Sequence, residues 1–274
     1  MKRILVPTDF SKHAEEALKS AVQIAKKNGS EIFLLHLLEL PHQLHDAMTN
    51  GSSIPEVMLF IKKAHEKLQK TKEQPHLQGI TISTTVQFER AFDGILSFNK
   101  KNNIDLIVMG SSGSSGIEEM LIGSNTEKVV RLSDIPVLVV KKDLDTFNIK
   151  NIVFASDFTK EIKKPFLKMI EFANIFDANL ALVMICTPNS FKTTAIAEKT
   201  MKDFIADFEV KNYSINIYND SNIEKGIRNF TNTIGADLIG LCTHGRTGLS
   251  HFFNGSIGED LVNHSTKPVI TFKI

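Results

Sequence analysis

Residues 110–124 read Gly-Ser-Ser-Gly-Ser-Ser-Gly-Ile-Glu-Glu-Met-Leu-Ile-Gly-Ser, with glycines at 110, 113, 116 and 123. Glycine lets a backbone take positive φ and come close to a ligand. Ser111, Ser112, Ser114 and Ser115 add hydroxyls without bulk. If Gly123-Ser124 opens a helix, the free N–H groups of its first turn and the positive end of its dipole favour an anion. Successive amides facing such a helix end describe a phosphate cradle. Far upstream, Pro7-Thr8-Asp9 supplies a carboxylate that could accept from a purine amine or a ribose hydroxyl. Each feature also has a plain structural use. Glycine and serine suit any tight strand-to-helix loop, Ser124 could be an N-cap, and Asp9 could close a turn.

These segments need a scaffold that brings them together. Arg3–Pro7 and Ile32–Leu38 are short apolar runs of strand type, and Ser11–Lys27 carries apolar residues at helical spacing and ends at Gly29-Ser30. The order continues as helix Pro55–Lys72, strand Ile80–Phe88, helix Ile95–Lys101, strand Leu106–Met109, helix Asn125–Leu132 and strand Pro136–Val140. Alternating strands and helices predict a parallel, doubly wound α/β sheet. In such sheets ligands bind beyond the carboxyl ends of the strands, where strand order reverses. Pro7-Thr8-Asp9, His36-Leu37-Leu38 and the loop after Met109 all leave strands at that end.

The chain repeats itself. Arg3–Phe10 recurs as Asn151–Phe158, and Gly94–Val140 aligns without a gap on Gly226–Phe272. The second copy reads as strands Ile152–Ala155, Leu180–Ile185, Ser214–Tyr218, Leu238–Leu241 and Pro268–Phe272, with helices Lys160–Phe176, Thr193–Lys211, Ile223–Ile234 and Ile257–His264 between them. Two tandem domains, 1–143 and 149–274, are expected, joined through the polar stretch Lys141–Lys150.

With 32 basic and 31 acidic residues the net charge is +1, and no basic block favours nucleic acid or an anionic membrane. No apolar run approaches the ~18–20 residues of a membrane span. The N-terminus enters a strand at once, without a secretory apolar region. Cys186 and Cys242 are too few for a disulfide framework and suit a reducing compartment. A cytoplasmic protein is the expectation.

The spacing Gly110-x2-Gly113-x9-Gly123-Ser124, with Asp105–Gly110, Ser124–Val130, Ile135–Val140 and Leu5–Ser11 around it, resembles the ATP-binding members of the universal stress protein family. The resemblance covers both copies. It implies two adenine nucleotide alpha hydrolase-like, Rossmann-like domains with strand order 3-2-1-4-5, and pairing through the last strand, here within one chain as a pseudo-dimer; a homodimer of chains stays open. It implies that Asp9 meets the adenine end and that the Leu37 backbone bonds the base. Gly110, Gly113, Gly123 and Ser124 would hold ribose and phosphates, with Pro7, Thr8, Met109, Ser114 and Asn125 beside them. A divalent cation, magnesium or manganese, would offset the triphosphate charge. Copy two departs from the pattern, because Cys242 stands at the first glycine, where a side chain is expected to crowd the turn. Asp157, Gly245, Arg246, Gly255 and Ser256 therefore form a weak second candidate.

The resemblance implies a non-catalytic ATP-binding regulator of the stress response, with unidentified protein partners. A nucleotide-free interaction module and a slow ATPase are the competing readings. Neither a Walker lysine nor a catalytic base is visible near the loop. His36, His42, His45 and Asp46 lack a second ligand pair at metal spacing and read as a polar connection, so no metal site is assigned. His244 reads as a loop residue, the two cysteines as buried core thiols, and the nineteen phenylalanines as core filling.

Overall fold

The computed structural model describes residues 1–39, 54–111, 122–141, 147–243 and 261–274. In chain order the first half contains β1 (Arg3–Pro7), α1 (Lys12–Asn28), β2 (Glu31–Leu38), α2 (Ile54–Lys72), β3 (Ile82–Phe88), α3 (Ala91–Asn102), β4 (Leu106–Gly110), α4 (Ser124–Leu132) and β5 (Val137–Val140). The second contains β6 (Asn151–Ala155), α5 (Lys163–Phe176), β7 (Asn179–Cys186), α6 (Thr194–Ile205), β8 (Tyr213–Asn219), α7 (Ile223–Thr233), β9 (Leu238–Thr243) and β10 (Val269–Lys273).

The strands form one ten-stranded sheet in the order β3-β2-β1-β4-β5-β10-β9-β6-β7-β8. Each half thus has the expected 3-2-1-4-5 order, all parallel, and the halves meet antiparallel through β5 and β10. The central strands are apolar runs because both of their faces are covered. On one face lie α1, α2, α5 and α6, with Leu18, Leu68, Phe172 and Met201 in a shared core. On the other lie α3, α4 and α7, contributing Ile95, Val129 and Ile227.

Local chemistry sets the helix ends. The Ser11 hydroxyl accepts from the Ala14 amide to cap α1, and Gly29, at φ 62°, lets the chain turn out of it. Helix α3 starts at Ala91, earlier than the sequence suggests. The carboxylate of Glu39 accepts from the Ala91 amide at 2.7 Å, a cap supplied from beyond β2 that periodicity cannot reveal. Helix α6 stops at Ile205 and does not run to Lys211. Phe208 continues the apolar spacing, but from a turn it packs its ring 5.0 Å from Phe166 and 5.2 Å from Phe204.

The join between the halves is less polar than its composition suggests. Phe147 and Ile149 are buried in the α1/α5 core, and the Phe147 amide donates to Gln23 Oε1 at 2.7 Å. The Phe147 ring meets Phe176 edge-on at 5.8 Å. No helix among the described residues is long and apolar enough to cross a membrane.

Candidate functional site

The turn that leaves β1 is built from side chain-to-backbone bonds. Thr8 Oγ1 accepts from the Phe10 amide at 3.1 Å and Asp9 Oδ1 from the Ser11 amide at 3.0 Å, holding Phe10 at φ 63°. The duplicate leaving β6 repeats this: Ser156 Oγ accepts from the Phe158 amide, Asp157 Oδ1 from the Thr159 amide, and Phe158 sits at φ 58°. Both acids therefore serve the turn as Asx residues do. His36 is tied to the same turn, its Nδ1 donating to the Thr8 carbonyl at 2.7 Å with its ring 4.5 Å from Phe10. His42, His45 and Asp46 lie outside the described residues.

Where β1, β2 and β4 end, a cleft of about 240 Å³ opens. Pro7, Thr8, Asp9, Leu37, Met109, Gly110, Gly123, Ser124 and Asn125 all line it, so every described residue of the first candidate site is brought together. Gly113 and Ser114 lie outside the described residues. The sequence reading missed the apolar wall of Ala14, Leu35, Ala91 and Ile95, and also Thr126. Helical spacing marks Ala14 and Ile95 as inward-facing, but periodicity does not say that their helices converge on a cleft.

Gly110 is required by packing. A Cβ there would lie 2.6 Å from the backbone oxygen of His13, on the first turn of α1. Gly123 is the N-cap of α4 at φ −61°, an ordinary conformation, and it provides no side chain to close the first turn. Ser124 is thus the first helical residue and not the cap. Two other helix starts of the first half are closed by side chains, α1 by Ser11 and α3 by Glu39. Thr126 Oγ1 donates to the Gly110 carbonyl at 3.1 Å, tying α4 to the end of β4. The result is an apolar slot with Asp9 at one side and an uncapped helix N-terminus at the other.

The second half keeps the turn but not the glycine. Cys242 is fully buried in the core beneath α5, and the turn it is expected to crowd lies outside the described residues. A 3-10 turn, Lys160–Ile162, delays α5 until Lys163, whereas α1 starts at Lys12, directly after its cap. Burial, aided by the charge of Asp157, pushes the Cys242 thiol far above its usual range. Asp157 occupies the place of Asp9, while Gly245, Arg246, Gly255, Ser256 and His244 lie outside the described residues.

The sequence profile of the universal stress protein family matches residues 1–141 and 215–273. The chain belongs to the universal stress protein family. Universal stress protein MJ0531 of Methanocaldococcus jannaschii is 35% identical over 142 residues, covering 52% of this chain and 82% of that one. Universal stress protein Slr1230 of Synechocystis is 22% identical along the full length of both chains. Among solved structures, a universal stress protein from Archaeoglobus fulgidus superposes with a TM-score of 0.75 at 22% identity, covering 99% of this chain and 98% of that one. Family matches in both halves fit the two-domain arrangement of the sheet.

Proposed function

We propose that this member of the family binds ATP in the cleft of its first half and acts as a non-catalytic regulator of the stress response. The observation that carries the reading is the convergence of Asp9, Leu37, Gly110, Gly123 and Ser124 on one slot beside the uncapped start of α4. The apolar wall of Leu35, Leu37 and Ile95 suits a purine face, Asp9 can accept from a ribose or base donor, and the α4 amides suit phosphate oxygens. Among the described lining residues Asp9 is the one ionisable side chain, and its Oδ1 already serves the Ser11 amide.

A divalent cation would enter on the triphosphate. Among the described residues no group of three or more His, Cys, Asp or Glu could hold a metal by itself. Its ligands would then be chiefly phosphate oxygens and water, as suits magnesium.

In the second half Cys242 stands in place of Gly110, which favours a structural or interaction role for that domain in the cytoplasmic regulator. The test is direct. Freshly purified protein is denatured and the released small molecules are resolved by ion-pair chromatography. The expected result is close to one ATP per chain. No nucleotide, together with no uptake on titration with ATP and magnesium, would replace this reading with the nucleotide-free interaction module. Close to two per chain would assign a site to the second half as well.

A further inference from the structure

A single residue of the second half closes a ring of bonds behind the first-half cleft. The Ile122 amide donates to Asn263 Oδ1 at 3.0 Å, and Lys141 Nζ donates to the Asn263 carbonyl at 3.0 Å. The next amide, Gly123, donates to the Ser111 carbonyl at 2.8 Å, and the Ser111 amide donates to the Val140 carbonyl at 3.0 Å. Val140 and Lys141 are chain neighbours, as are Ile122 and Gly123, so the circuit is complete. Every member except Asn263 belongs to the first half.

The circuit sits where backbone groups need partners. Ile122 and Ser111 are buried, where an amide without a partner is destabilising. The two amides fixed by Asn263 and Ser111 directly precede Ser124, so they set how α4 enters the cleft. At the repeat position of Asn263 stands Arg131, whose side chain has no oxygen to accept from an amide. The matching lysine, Lys273, reaches the other way, to Asp134 at 2.7 Å.

We propose that Asn263 is a positioning residue through which the second half sets the phosphate end of the first-half site. The inference rests on reading the cleft as a nucleotide site. The described hydrogen bonds of Asn263 go to Ile122 and Lys141 and none to Asp9 or Leu37, so its influence is expected on Gly123, Ser124 and Asn125.

The experiment has two arms on the full chain. In the first, hydrogen exchange without nucleotide is followed at the Ile122 amide in wild type, Asn263→Ala and Asn263→Asp. The alanine variant is expected to lose protection there, and the aspartate variant, which keeps an acceptor, to retain it. In the second arm ATP and adenosine are titrated calorimetrically. Asn263→Ala is expected to weaken ATP about five- to tenfold, the worth of one buried hydrogen bond, and to leave adenosine unchanged. Lys141→Met, which keeps the aliphatic stem, is expected to shift ATP in the same direction.

Unchanged protection at Ile122 in Asn263→Ala overturns the proposal whatever the nucleotide does. Equal weakening of ATP and adenosine overturns it too, because that marks general damage. If wild type binds neither ligand, the nucleotide reading fails and this inference with it, while the exchange arm still tells whether Asn263 orders the segment.

Discussion

Leu138 and Ile270 occupy the same position of the internal repeat, and they face each other across the antiparallel joint of β5 and β10. Both are fully buried. The two halves are therefore related about a pseudo-two-fold axis through this pair, with Val139 opposite Val269 and Val137 opposite Thr271 on either side. The core continues across the joint through Phe147, Ile149 and Phe176. A protease site engineered into residues 142–146 should leave a one-to-one complex after cleavage. Size-exclusion chromatography at micromolar concentration should give one peak holding both fragments, and separate elution would contradict the shared core.

Gly110→Ala tests the close approach to α1. The added Cβ would meet the His13 backbone, which cannot rotate aside, so either β4 or the start of α1 must move. Overpacking of this kind costs about 1–3 kcal/mol. Urea unfolding should show a loss in that range, with weaker ATP binding because Gly110 and Ala14 both line the cleft. The same titration on Cys242→Gly should show no added nucleotide site, since the delayed start of α5 remains.

Asp9→Asn separates the two duties of that acid. Asparagine keeps an oxygen for the Ser11 amide, so stability should change by no more than about 0.5 kcal/mol. Adenosine and ATP should weaken together, unlike the phosphate-selective loss expected at Asn263. A variant with wild-type affinity for both would remove Asp9 from the site.

The buried thiol of Cys242 gives a pH signature. Its folded-state pKa is raised by burial and by Asp157, so above the ordinary cysteine pKa of about 8.5 the unfolded chain loses a proton that the folded chain keeps. Stability from this group is complete below that pH and is lost as pH rises past it. Lys141, lowered to about 8 by burial, acts oppositely: between there and its ordinary pKa the unfolded chain holds the extra proton. Replacing Cys242 with alanine should flatten the fall of the urea midpoint between about pH 8.5 and 10. Iodoacetamide should not label Cys242 in the native protein at pH 8, but should label it in urea.

The strands and the repeat were legible because buried parallel strands are written as uninterrupted apolar runs and because Gly94–Val140 has a gapless twin. The cleft was legible as glycines and an acid at strand ends. What was hidden depends on partners distant in sequence. Glu39 caps α3, Phe208 folds back under α6, Phe147 enters a core from a polar stretch, and Asn263 reaches Ile122. Nothing local discloses that α5 starts later than α1. Periodicity reports which face a residue takes, and it is silent about which other element waits there.

The twin turns at Asp9 and Asp157 bear on how the two copies have aged. Each acid accepts from the amide two residues ahead, so either copy has a use for it in the turn even with no ligand in sight. A glycine such as Gly110 has no such second employment once the helix beside it withdraws. In the second copy the glycine position holds Cys242 while the acid and its turn bond remain. An aspartate at this position is thus a poor witness to ligand binding, and the residue opposite the helix start is the better one.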